Sequence, residues 1–339
     1  MTNSYKFLFS SVLGASTMMI LSSSSWFLSW FSLELNLLSF IPLMKESDNV
    51  LSSESSMKYF LVQSLGSVIL MTGIVTEFAS MSSLWSVGES LIEVLFWGSL
   101  GLSLGVAPFH LWFPELVEGL SWVCAAVILT WQKLGPFVLM TKLKSHFNEI
   151  ELMVIASVMV GGVGGLNQVS LRKILAYSSI SHMGWMVSTI LVGEVMWLVY
   201  FLVYAFTNIA VVLMFMGGGA YVASHLGLSW MEDGEFKMYG FLGLLSLGGL
   251  PPFLGFFPKL VVIQNLMNLG LVSVPVFMVV FTLVSLYYYL RLAFNSFFLS
   301  ATPVGLKLNL TGSGTALNAG FSLMVGVFSM GALWVCLFV

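Results

Sequence analysis

Apolar residues run along this chain in long blocks separated by short polar stretches. A helix needs roughly 20 mostly apolar residues to cross a hydrocarbon core. On that measure the blocks predict helices near 5–21, 25–43, 57–77, 91–120, 122–144, 149–166, 172–190, 195–220, 237–268, 274–296 and 320–338. The expected fold is an all-α polytopic membrane protein of about eleven transmembrane helices, with 1–339 forming a single transmembrane domain. The polar stretches KESDNVLSSESS (45–56) and WMEDGEFK (230–237), and the segment 301–319, read as connectors. The first apolar block leads directly into a second one, so it reads as a retained helix and not as a secretory signal.

Two of the blocks carry helix-breaking residues in a repeated arrangement. GVAPFHLWFPE (105–115) and GLPPFLGFFPK (249–259) share Gly, Pro, Phe, Phe and Pro at matching places. Proline lacks an amide hydrogen and clashes with the preceding turn, so Pro108, Pro114, Pro251, Pro252 and Pro258 are expected to mark helix breaks. Freed backbone groups are tolerated at membrane depth only inside protein or along a hydrated cavity. Each interrupted helix is fourth in a set of five, and an odd number of spans inverts the second set relative to the first. The expected plan is an antiporter-like inverted repeat, approximately 1–145 and 149–297, with two discontinuous helices and a C-terminal helix at 320–338. Two ordinary structural kinks are the plain alternative.

Composition sharpens this picture. Of 339 residues 58% are hydrophobic and 8% charged, and mean hydropathy is +0.98, far from the balance of soluble domains. A formal net charge of −3 gives no basic footprint for nucleic acid. Cys124 and Cys336 both fall in apolar blocks, which argues against a disulfide framework, an iron–sulfur cluster or a thiolate zinc site and for packing roles. With the N-terminus on the interior side, Lys6, Lys45, Lys58, Arg172, Lys173, Lys237, Arg291 and Lys307 share that side, against Lys142 and Lys144 opposite, as the positive-inside rule expects.

Three ionisable residues fall within the spans: Glu34, Lys133 and Lys259. Each costs on the order of 2.5–3.5 kcal/mol on insertion scales, which makes a proton-carrying role the sharp reading. Fixed ion pairs or a snorkelling lysine are the bland ones. In LAYSSISHMGW, Tyr177, Ser178, Ser181 and His182 recur at three- and four-residue spacings and so share a helical face. That face is fit to line a water file with His182 relaying protons, or to pack helices through a satisfied histidine. His110 lies beside the first break, and two histidines alone make a poor haem site. The glycine clusters GGVGG (161–165) and GGGA (217–220) suit close helix contact and lack the strand-to-helix setting of a nucleotide fingerprint.

Taken together, WFSLELNLLSFIPLM (30–44), KYFLVQSLGSVIL (58–70), LGVAPFHLWFPELVEG (104–119), LTWQKLGPF (129–137), GGLNQVSLRKILAYSSISHMGWM (164–186) and LSLGGLPPFLGFFPKLVVIQ (245–264) resemble the NADH-ubiquinone oxidoreductase chain 2 family. These are antiporter-like subunits of respiratory complex I, and the resemblance covers nearly the whole chain. It implies a multi-pass protein of the mitochondrial inner membrane whose animal version lacks the first three of the family's fourteen helices. It also implies a proton-translocating membrane-arm subunit of an NADH:ubiquinone reductase, with other complex I subunits, lipids and protons as partners and no cofactor of its own. NAD, FMN, iron–sulfur clusters and ubiquinone would be bound by other subunits. The resemblance makes Glu34 one half of a Glu/Lys pair, Lys133 the central proton carrier and Lys259 the terminal one. One position departs from the family pattern: Ser103 stands where relatives carry the partner lysine, so Glu34 lacks its expected partner within this chain. A self-standing cation/proton antiporter is the alternative function.

Overall fold

The computed structural model describes residues 2–46, 49–81, 89–143, 147–193, 195–224, 234–251 and 253–298. The expected helix 320–338, the connectors 230–233 and 301–319, and Pro252, Lys144, Lys307 and Cys336 lie outside the described residues. Thirteen helices are described: α1 (Thr2–Ser22), α2 (Trp26–Met44), α3 (Val50–Met81), α4 (Glu89–Leu104), α5 (Trp112–Gly119), α6 (Trp122–Leu129), α7 (Trp131–Thr141), α8 (Phe147–Gly164), α9 (Leu171–Ile190), α10 (Met196–Gly217), α11 (Gly234–Gly248), α12 (Phe256–Asn268) and α13 (Ser273–Phe298). Six helical stretches among the described residues reach spanning length and hydropathy. Their outward faces carry large apolar side chains such as Phe7, Leu65 and Tyr287, as a lipid-facing surface requires.

The chain divides into two compact units, Met1–His146 and Phe147–Val339. Within the first, α2 packs on α1 and α3, α3 packs on α4 and α5, and α7 contacts α1, α2 and α4. Lys142 ties the end of α7 to the end of α1 by donating to the Ser23 carbonyl at 2.7 Å. Within the second, α8 packs tightly on α9 and α13, and α10 contacts α9, α11 and α12. A Cβ at Gly161 would lie 2.7 Å from the Tyr177 carbonyl oxygen, so the glycine cluster lets α8 and α9 approach backbone to backbone. An isolated antiparallel bridge, Ser170 with Val222, joins the segments after α8 and α10, and Arg291 on α13 donates to the Gln168 carbonyl at 3.1 Å at the same end.

Two expectations are corrected. The 45–56 connector is helical from Val50, and its serines are accommodated there by donating back to carbonyls three residues earlier (Ser53 to Val50, Ser56 to Ser53), which satisfies their hydroxyls within the helix. The block at 122–144, expected to be continuous, is broken at Thr130, which separates α6 from α7. There the Thr130 amide and hydroxyl both donate to the Ala126 carbonyl, at 3.1 and 2.7 Å. Pro136 removes the amide that would have served the Gln132 carbonyl one turn back.

Candidate functional site

The two repeated motifs fold alike. Each half-helix ends on a glycine with left-handed backbone, Gly105 at φ 70° after α4 and Gly249 at φ 77° after α11. In each, the next residue's amide reaches back five residues, Val106 to the Gly101 carbonyl and Leu250 to the Leu245 carbonyl. The glycine amide bonds one turn back, to Leu102 and to Ser246 respectively. Both are Schellman caps, which close a helix while leaving its last carbonyls open. Pro108 and Pro251 sit in the break loops, whereas Pro114 and Pro258 sit in the first turns of α5 and α12. A first-turn proline frees no carbonyl, because its amide would have had no partner there. The caps therefore make the breaks, and Pro114 and Pro258 restart the helices.

The open carbonyls are taken by side chains from other helices of the same unit. In the first unit the Ser103 carbonyl accepts from Gln63 Nε2 on α3 at 3.0 Å. In the second, the matching Leu247 carbonyl lies 3.2 Å from His182 Nε2 on α9, and its neighbour Gly248 accepts from Lys259 Nζ at 2.9 Å. Lys259 is buried, and it folds back across Gly249, where a Cβ would meet its Nζ at 2.8 Å. A helix C-terminus concentrates partial negative charge, so this end suits a cation. An amine keeps N–H donors with or without its extra proton, so Lys259 can hold Gly248 in either state. The Trp185 ring lies 5.8 Å from the same Nζ.

Lys133 lies in the first turn of α7, just past the Thr130 break, and is 3% exposed. Its Nζ sits 5.2 Å from the centre of the Phe113 ring, which α5 carries in from the far side of the first break. An ammonium over a ring face is attracted by about 0.5–2 kcal/mol. A cavity of about 40 Å³ opens here, lined by Glu34, Asn36, Gln63, Ser103, Gln132 and Lys133 among others. One water needs roughly 10–15 Å³, so a short water file fits. Asn36 Nδ2 donates to Gln132 Oε1 at 2.8 Å, leaving Asn36 Oδ1 and Gln132 Nε2 buried without a protein partner. Ser103 donates its hydroxyl to the Leu100 carbonyl, and the ion pairs among the described residues are those of Lys58, so none reaches Glu34.

Glu34, Ser103 and Lys133 are thus brought to one cavity in the first unit, and His182 and Lys259 to one helix end in the second. Glu115, which matches Lys259 in the repeated motif, is exposed and pairs with Lys58 at 3.0 Å. In the α9 face, Ser178 and Ser181 donate back to their own helix at 2.8 and 2.7 Å, and His182 bonds across to Tyr200 on α10 and to the Leu247 carbonyl at the end of α11. Sequence reasoning missed Phe113, Asn36, Gln63, Gln132 and Tyr200. Polar Asn36, Gln63 and Gln132 inside apolar blocks were the available signal, as was the place of Phe113 among the shared positions of the repeated motif; for Tyr200 there was none.

Comparison with known proteins agrees with this architecture. The family described as NADH:quinone oxidoreductase/Mrp antiporter, TM, matches residues 23–285. NADH-ubiquinone oxidoreductase chain 2 of Anopheles gambiae is 44% identical over 285 residues, 84% of this chain and 83% of the relative. That of Locusta migratoria is 37% identical over 295 residues, 87% of this chain and 86% of the relative. A chain of respiratory complex I from Thermus thermophilus with bound aureothin aligns at TM-score 0.84 and 26% identity, over 97% of this chain and 78% of that one. A chain of an Mrp complex from Dietzia sp. aligns at TM-score 0.73 and 18% identity, over 96% and 74%, a likeness of fold. With broken helices, buried lysines and this degree of identity along most of its length, the chain belongs to the NADH-ubiquinone oxidoreductase chain 2 family.

Proposed function

We propose that this chain is a proton-translocating membrane-arm subunit of respiratory complex I, a multi-pass protein of the mitochondrial inner membrane. It belongs to an NADH:ubiquinone oxidoreductase whose electron transfer takes place in other subunits. Those subunits bind NAD, FMN, iron–sulfur clusters and ubiquinone, and this chain contributes no redox centre. Its partners are neighbouring membrane-arm subunits, lipids and the protons themselves. The observation that carries the reading is the seating of two buried lysines beside broken helices: Lys133 after the Thr130 break and Lys259 on the Gly248 carbonyl. Buried cations at membrane depth are costly and mark ion pathways. Lys133 is the central carrier and Lys259 the terminal one, with Glu34 and the hydrated cavity on the approach to Lys133 and His182 beside Lys259. The two units, approximately 1–145 and 149–297, form an inverted repeat.

Replacing Lys133 by Met keeps length and apolar bulk and removes the exchangeable proton. In complex assembled with Lys133→Met, the ratio of protons moved to electrons transferred should fall. An unchanged ratio would mean that the lysine only holds the helices together. Native gels of gently solubilised membranes separate this function from that of a self-standing cation/proton antiporter. A subunit migrates with the NADH-oxidising complex, whereas an independent antiporter migrates as a small species and exchanges ions without NADH.

A further inference from the structure

The hydrogen bonds of His182 restrict what its imidazole can do. Nε2 lies 3.2 Å from the Leu247 carbonyl oxygen, and a carbonyl only accepts, so Nε2 carries a hydrogen. In the neutral ring Nδ1 is then the acceptor, and the Tyr200 hydroxyl donates to it at 2.9 Å. Both side chains are buried, His182 at 6% exposure and Tyr200 at 1%. The Nε2 hydrogen points at an atom that takes no proton, so that nitrogen is closed to exchange while α11 ends where it does. Nδ1 is the nitrogen open to a new proton, and Tyr200 stands on it. Tyr204 also flanks His182, with ring centres 5.1 Å apart, but its hydroxyl oxygen is engaged by Asn208 Nδ2 at 2.8 Å.

We propose that Tyr200 is the proton port of His182, so that the histidine is loaded and unloaded through one nitrogen and acts as a store and not as a through-relay. The proposal rests on the proton-translocating function above. In the loading step a protonated water gives its proton to the Tyr200 oxygen while the Tyr200 hydroxyl hydrogen passes to His182 Nδ1. One O–H bond of the protonated water and one of the tyrosine break; a new tyrosine O–H and an Nδ1–H form. Water and a neutral tyrosine are left, with the charge on the imidazolium, and unloading runs the same steps backwards. The Nε2 bond to Leu247 is kept throughout.

The test compares complex assembled with Tyr200→Phe, with His182→Gln and with both. Tyr200→Phe keeps the ring and removes only the hydroxyl, and it should lower the proton-to-electron ratio by the same fraction as His182→Gln, with the double variant no lower than either. Pumping at the parental ratio by Tyr200→Phe alone, or losses that add in the double variant, would overturn the port. If His182→Gln itself pumps at the parental ratio, the histidine carries no proton, and the function assigned to it fails, taking the port with it. Should Tyr200→Phe fail to assemble, infrared difference spectra of the turning-over native complex with ring-15N histidine decide. Label-sensitive bands absent from His182→Gln should report an Nε2–H imidazole gaining a proton at Nδ1. Bands of an Nδ1–H neutral tautomer would reverse the donor roles and sink the proposal.

Discussion

At the scale of single residues, one slot of the repeated motif serves two purposes. Glu115 and Lys259 both follow Phe-Pro in the first turn of a restarted helix, yet Glu115 reaches an exposed lysine while Lys259 turns inward to a carbonyl. The exposed pair contributes at most about 1 kcal/mol, because solvent screens it and two long side chains must be held still. Gly249 is what permits the inward turn. A Cβ there would meet Lys259 Nζ at 2.8 Å and would also sit on a backbone at φ 77° that side chains disfavour. Gly249→Ala should therefore cost roughly 1–2 kcal/mol from backbone strain alone and push Lys259 off its seat. The readout is a lowered melting temperature of the assembled complex together with a reduced proton-to-electron ratio. A variant with parental values of both would show that the lysine does not depend on this cap.

At the scale of elements, close contacts and breaks were legible to different degrees. GGVGG announced a close helix contact, and α8 does lie backbone to backbone on α9. A Cβ at Gly161 would fall 2.5 Å from the Ser181 amide nitrogen, and backbone cannot step aside as a flexible side chain can. Gly161→Ala should destabilise by about 1–3 kcal/mol, the usual cost of overpacking, whereas Gly14→Ala, with nothing within 4 Å of its Cβ, should leave thermal inactivation of the complex unchanged. Equal inactivation rates for the two variants would contradict the packing. The two motif breaks could be read from glycine and proline because both act on the backbone locally. The third break, at Thr130, could not. Its residue carries no strong local prohibition, and the Thr130 hydroxyl bond to Ala126 that accompanies it is one an unbroken helix also allows.

At the scale of the whole molecule, Ser103 is the position at which the sequence resemblance leads one to expect a lysine partner for Glu34. It shares a cavity with Glu34, Gln63, Gln132 and Lys133, and there it offers a hydroxyl and no charge. Ser103→Lys should place a cation beside Glu34. The carboxyl infrared bands that disappear in Glu34→Gln should then shift in Ser103→Lys; bands that stay put would show that the two positions do not communicate. The sequence by itself determined the membrane setting, the places of most helices, two of the three breaks and the membership of Glu34, Lys133, Lys259 and His182 in the candidate set. Those features follow from hydropathy, backbone prohibitions and the cost of charge in lipid, all of which act where the residue stands. Only the tertiary structure decided which groups meet: Phe113 with Lys133, Asn36 with Gln132, Tyr200 with His182, and His182 and Lys259 on adjacent carbonyls of one helix end. A hydrogen bond between helices depends on how each is turned and how far it has slid, and that is settled by packing along their full length and not by any spacing within one of them.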